Sequence, residues 1–281
     1  MKIALKLKKK KTFSLEFFPP KNEEEFEIFI KTIKELKKYK PDFVSVTDSN
    51  ISAKLKHIAL SKLIKEKIKV DVLVHLTCIN NTKNEIKNII NVLEENKIEN
   101  ILALRGDPRN FYKNLNEFKH ATDLLKIIPK EKFSIGVAIH PEGNQSKDIK
   151  KEIKYLKIKK ELGANFGITQ VFFDNSKFYD FINIFEKNYI KLPIICGILP
   201  ITSYKIYEKI REKVKNLTFP KELINIIEKY KDKKEELVES TTDFAAKQIE
   251  ELKKYPIAGF HFFTFNRAYG VRKIISKTNI L

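Results

Sequence analysis

Glycine is scarce in this chain of 281 residues, which holds only eight. With no G-x-G-x-x-G and no P-loop among them, a nucleotide has neither a Rossmann crevice nor a phosphate-cradling loop to enter, and any cofactor must be held another way. The two cysteines, Cys78 and Cys196, lie far apart inside apolar runs. That spacing fits neither a zinc site nor a redox pair, so both read as buried free thiols in a reducing compartment. No H-x-H or H-E-x-x-H pattern supports a metal either. No run of about 18 apolar residues is present, and the basic stretch 1–11 lacks the apolar segment of a signal peptide. A cytoplasmic protein without a membrane partner is expected.

What the chain does have is a beat. Short apolar, β-branched or aromatic runs begin at Phe13, Phe43, Val70, Ile101, Phe133, Phe166, Leu192 and Gly259. The first seven recur at about 26 to 33 residues, the length of one strand–helix unit, and nearly every run ends in a residue able to do chemistry. Such a rhythm predicts an α/β protein, a (β/α)8 TIM barrel, with strands over 13–17, 43–47, 70–77, 101–104, 133–139, 166–173, 192–199 and 259–265. Eight such units take about 250 residues as one domain, so the whole chain, 1–281, reads as a single catalytic domain. The last interval, from Leu192 to Gly259, is more than twice as long as the others, and its lysine- and glutamate-rich stretch 204–254 predicts about three extra helices before the final strand.

Helix starts are written locally. Asn22 precedes Glu25 by three residues, and Thr82 precedes Glu85 by three, both in the manner of a capping box. Ser146 can cap the helix whose Ile149, Ile153 and Leu156 share a face, and Gly163 marks that helix's end.

The formal net charge is +19, from 55 Lys+Arg against 36 Asp+Glu. An excess of this size raises nucleic acid as a partner. Here it is mostly lysine on predicted helices, as in Lys31, Lys34, Lys37 and Lys38 or Lys150, Lys151, Lys154 and Lys157, which reads as solvated helix faces. Such a surface steers anionic small molecules rather than binding nucleic acid.

In a parallel barrel the C-terminal strand ends meet on one rim, where active sites lie. The expected rim carries Glu16, Thr47, His75, Arg105 with Asp107, His140, Gln170, and Asn266 with Arg267. Glu16 sits among Phe13, Phe17 and Phe18 in the sequence, a setting that would desolvate its carboxyl and favour a proton donor. Arg105, Gly106 and Asp107 offer a cation for phosphate or carboxylate, a close backbone approach, and a carboxylate.

Seven segments then carry a resemblance: FSLEFFPPK at 13–21, FVSVT at 43–47, HLTC at 75–78, ALRGD at 103–107, GANFGITQ at 163–170, GILP at 197–200 and FHFFTFNR at 260–267. In order and spacing they resemble the signature blocks of methylenetetrahydrofolate reductase, of the bacterial type without a regulatory domain. The resemblance implies a homotetrameric flavoprotein that passes a hydride from NADH or NADPH through FAD to 5,10-methylenetetrahydrofolate, giving 5-methyltetrahydrofolate for methionine synthesis. It implies Glu16 as general acid towards the folate nitrogen and Asp107 beside flavin and folate. Gln170 and Arg267 would hold substrate, Arg267 through the glutamate tail. By the same resemblance Thr47, His75, Arg105, Gly106, Asp107, His120, Ala121, His140, Glu152 and Lys159 line the FAD site. The chain departs from the family pattern at His120 and His140, both commonly tyrosine, at Asn144, commonly histidine, at Asp48 and Ser49, commonly Tyr-Gly, and at Ile210, an aromatic lid position.

Two other readings compete. A flavin-free barrel lyase or aldolase needs a Schiff-base lysine inside a strand, and none of the eight runs contains one. A basic RNA-binding barrel would bind with steep salt dependence and ignore Arg105→Ala.

Overall fold

A computed structural model describes residues 1–48, 56–107, 117–143 and 148–280. Eight parallel strands close into one barrel in sequence order: β1 Thr12–Phe17, β2 Phe43–Val46, β3 Asp71–Thr77, β4 Asn100–Leu104, β5 Ser134–Ile139, β6 Phe166–Thr169, β7 Ile194–Ile198 and β8 Gly259–Phe263. The β1–β8 pairing, with Ser14 opposite His261 and Glu16 opposite Phe263, seals the cylinder and leaves no sheet edge exposed. All eight expected strands are present. The sixth is shorter than its apolar run, because Val171 and Phe173 leave the ladder for a second buried cluster with Leu199, Tyr207, Ile210 and Leu237.

Outside the barrel run α1 Ile3–Leu7, α2 Glu23–Lys37, α3 Lys56–Leu63 with a π-helical turn Ile64–Ile68, α4 Lys83–Glu95, α5 Ala121–Leu125, α6 Ile149–Glu161, α7 Asn175–Lys187, α8 Tyr204–Lys213, α9 Lys221–Lys229, α10 Lys234–Leu252 and α11 Tyr269–Lys277. The helices α8, α9 and α10 fill the long interval before β8. Asn22 caps α2 by accepting from Glu25 N at 2.9 Å. Thr82 and Glu85 close a reciprocal box on α4, with Thr82 N donating to Glu85 Oε2 at 2.8 Å. On α6 the cap is Asp148, which accepts from Lys151 N at 3.1 Å. Ser146, expected in that role, lies outside the described residues.

Strand alternation separates two cores. Phe13, Leu15 and Phe17 face the helices, where Phe17 meets Phe29 edge-on at 5.4 Å. Phe43, Leu73, Leu102, Phe166, Ile168 and Ile195 fill the barrel interior together with Ile3 of α1. Gly136 makes room for this layer, since a Cβ there would stand 2.7 Å from the Phe166 ring. The basic N-terminal stretch, which carries no core pattern in the sequence, thus helps to close the barrel floor. Asn100 Oδ1 accepts from Ile3 N at 2.7 Å, Ser134 Oγ from Ala4 N at 3.0 Å, and Lys6 pairs with Asp71 at 2.8 Å. Among the described residues no helix is long and apolar enough to cross a membrane.

Candidate functional site

Above the apolar floor the barrel interior turns polar. Ser14, Ser45 and His261 are 0–1% exposed and occupy inward positions of β1, β2 and β8. His261 Nδ1 lies 2.8 Å from Ser14 Oγ, and its Nε2 lies 3.2 Å from Ser45 Oγ. The ring stacks on Phe43 at 5.9 Å. With both nitrogens occupied and one face covered, the imidazole is held in place.

The next inward position of β1 is Glu16, 7% exposed. Its Oε2 stands 3.7 Å from His261 Nε2 and 3.6 Å from His75 Nε2. The aromatic setting expected from its sequence neighbours is therefore corrected: Phe13 and Phe17 alternate to the outer face, and the carboxyl meets two imidazoles instead. Burial pulls His75 down to about 4, against the opposing charge of Glu16, so this ring is neutral at physiological pH.

His261 stands in the FHFFTFNR segment, but the sequence alone did not mark it as a site residue. Its signal is there: a lone histidine alternating with phenylalanines in the last strand must face inward if they face out. Ser14 and Ser45, two residues before Glu16 and Thr47, carry the same signal.

The loops after β3 and β4 are laced together. Arg105 O accepts from Ile79 N at 2.9 Å, and Asp107 O from Asn80 Nδ2 at 2.8 Å. Gly106 has φ +79°, and a Cβ on it would lie 2.8 Å from Thr77 Cβ. The chain can pass this close only because it is glycine. Arg105 Nε donates to Lys119 O at 3.1 Å, beside His120 and Ala121 at the start of α5. The His120 ring lies 5.8 Å from Tyr155. The Asp107 side chain is exposed at the rim.

Along β5 and α6 stands a charged group. Glu152 is 1% exposed, and its Oε1 accepts from His140 N at 3.1 Å and lies 3.3 Å from His140 Nδ1. Burial works against its ionisation, but the His140 hydrogen bonds and the charges of His140 and Lys159 outweigh it and hold the carboxyl below the usual range. Lys159, also buried, donates to Ala138 O at 2.9 Å.

Gln170 N donates to Ile139 O at 2.7 Å, and its Oε1 accepts from Val171 N at 2.9 Å. Arg267 is exposed just past β8. Neither makes a hydrogen bond or ion pair with Glu16 in this structure. Asp48, next to Thr47, accepts from Thr77 Oγ1 and lies 4.0 Å from buried His57. Ile210 is buried in the second cluster rather than presented as a lid. Asn144 and Ser49 lie outside the described residues.

Among the described residues Thr47 Oγ1 and His75 Nε2 are buried without hydrogen-bond partners. Orphaned polar atoms are rare in native interiors and call for a partner. Inside the polar end of the barrel, they suit a bound heteroaromatic group with hydrogen-bonding atoms.

A family profile described as "Methylenetetrahydrofolate reductase" matches residues 1–279. Among curated relatives, "Methylenetetrahydrofolate reductase 1" of Schizosaccharomyces pombe is 32% identical over 296 residues, covering 100% of this chain and 49% of that protein. "5,10-methylenetetrahydrofolate reductase" of Escherichia coli is 32% identical over 260 residues, covering 91% of this chain and 86% of that protein. The chain thus spans about half the length of the yeast relative and most of the bacterial one. Among solved structures, an uncharacterised protein from Clostridium thermocellum, described as binding two copies of 5-methyl-5,6,7,8-tetrahydrofolic acid, superposes with a TM-score of 0.67. At 16% identity over 97% of this chain and 96% of that one, the likeness extends to the fold alone.

Proposed function

Since the chain belongs to the methylenetetrahydrofolate reductase family, we propose that it reduces 5,10-methylenetetrahydrofolate to 5-methyltetrahydrofolate, using FAD and NADH or NADPH. The observation that carries this reading is the buried Glu16 carboxyl between His75 and the serine-anchored His261.

A flavin held in the barrel mouth would supply the hydride relay from nicotinamide to folate. Thr47 and His75 would hold it with their free polar atoms, and Arg105 and Gly106 would hold its diphosphate. Asp107, His120, Ala121 and His140 complete the wall, and Glu152 and Lys159 support it from within.

Glu16 would act as the general acid. A carboxyl inside the barrel delivers it from Oε2 to the folate nitrogen, so that the five-membered ring opens to an electrophile. His261, fixed by two hydroxyls, keeps the carboxyl on that line. Asp107 and Gln170 would orient the pterin, and Arg267 the glutamate carboxylates, with a fork of donors matched to them. The same reading makes the protein a cytoplasmic homo-oligomer supplying methyl groups for methionine.

The test is Glu16→Gln in FAD-loaded protein. Bleaching of the flavin by NADH or NADPH should persist, while reoxidation by methylenetetrahydrofolate falls about 10²- to 10⁴-fold, the usual worth of a general acid. Equal loss of both half-reactions would remove Glu16 from the role. A wild type that takes up no FAD would remove the function.

A further inference from the structure

Beyond β8 the backbone does something costly in a definite place. Phe265 and Asn266 both sit in the left-handed region, at φ +50° and +56°. Asparagine tolerates that conformation, whereas phenylalanine resists it, so a pair in series must be over-determined by its surroundings.

The surroundings are specific. Asn266 Oδ1 accepts from Phe18 N at 2.9 Å, and Asn266 Nδ2 donates to Phe18 O at 2.9 Å. An amide N–H can only donate, so the carboxamide has one orientation here. Asn266 thus extends the β1–β8 seam with its side chain, at a point where Pro19 and Pro20 end the strand.

The main chain joins the same knot. Asn266 N donates to Thr264 Oγ1 at 3.0 Å, and that hydroxyl donates to Glu16 O at 2.6 Å. Asn266 O accepts from Thr32 Oγ1 of α2 at 3.0 Å, and Arg267 N donates to Thr264 O at 2.9 Å. The Phe18 and Phe265 rings pack on each other with centroids 5.5 Å apart. One asparagine therefore ties the strand end bearing Glu16 to the turn that launches Arg267.

We infer that Asn266 is a positioning residue whose carboxamide fixes the spacing between the proton-donating Glu16 and the substrate-holding Arg267. The inference rests on the proposed function. Asn266 touches neither reactant; it keeps two groups from adjacent strand ends in one register. Glycine in its place accepts the left-handed backbone but has no clamp, which separates the two roles.

Titration calorimetry of FAD-loaded protein with 5-methyltetrahydrofolate tests this, alongside the rate of flavin bleaching by the nicotinamide cofactor. Asn266→Gly should weaken folate binding about tenfold or more, the effect of one or two lost hydrogen bonds, and slow bleaching far less. Asn266→Asp keeps the acceptor for Phe18 N and the left-handed tolerance but lacks the donor, and should fall between. It carries the same comparison if the glycine variant is too unstable to titrate. Folate affinity within about twofold of wild type in both variants, even with a lowered melting temperature, would overturn the inference, since binding would then be insensitive to loss of the clamp. Equal loss of folate affinity and bleaching rate would overturn it as general loosening. A wild type that binds no folate would instead sink the function, and the inference with it.

Discussion

Lowering the pH from 7 to 4 forces a proton onto His75 inside the barrel, and that proton has a measurable effect on stability. Burial draws the imidazole from its ordinary value of 6.5 to about 4, with Glu16 pulling the other way. Because the folded value lies below the unfolded one, the unfolded chain takes up the proton first as the pH falls. The stability involved is therefore complete above about pH 6.5 and is lost progressively towards pH 4. At roughly 1.4 kcal/mol per tenfold change the whole effect is about 3 kcal/mol, most of which is gone by pH 4.5. Urea unfolding of the flavin-free protein at pH 7 and pH 4.5 measures it, with His75→Gln as a partner that cannot titrate. Carboxylates remote from His75 titrate alike in both proteins, so the difference between them reports the histidine together with its interactions with Glu16 and Asp48. Wild type should lose roughly 2–3 kcal/mol more than the variant on acidification. Parallel losses in the two proteins would refute the claim that His75 is held neutral by burial.

Two further outcomes follow from packing. Gly106→Ala places a Cβ 2.8 Å from Thr77 Cβ at φ +79°; strain of this kind costs about 1–3 kcal/mol, so the melting temperature and FAD uptake should both fall, and an unchanged melting temperature would show the turn is not strained. Ile3→Ala removes a side chain that is 0% exposed at the barrel floor; a loss of about 2 kcal/mol or more in urea unfolding is expected, and none would mean that α1 does not seal the barrel.

The proposed reduction of 5,10-methylenetetrahydrofolate would ask the protein for a proton at one atom and for two held reactants. A buried carboxyl whose neighbours are fixed suits the first demand, and loops that are braced to each other suit the second. The brace between the β3 and β4 loops, through Arg105 O and Asp107 O, keeps Gly106 against Thr77 and so keeps that wall close-fitting. His140 and Glu152 perform a similar service at the end of β5.

Strand and helix positions were readable because their determinants are local. The alternation in 13–17, the Thr82 and Glu85 box, and the turn at Gly163 each depend on residues a few positions apart, and hydrophobic burial rewards those periods wherever the barrel closes. Rim membership of Glu16, Asp107, Gln170 and Arg267 followed from the same beat, because a residue at a parallel strand's C-terminal end has one rim to occupy. What touches Glu16 did not follow. Ser14 and His261 are 247 positions apart in the chain and meet only when β1 pairs with β8 in one register. The exchange of Phe13 and Phe17 for His75 and His261 as its neighbours, the use of the N-terminal stretch as a floor, and the Asn266 clamp all depend on that closure. Sequence period determines which face a side chain takes; only the closed cylinder, with its register and shear, decides which other strand's side chain it faces there.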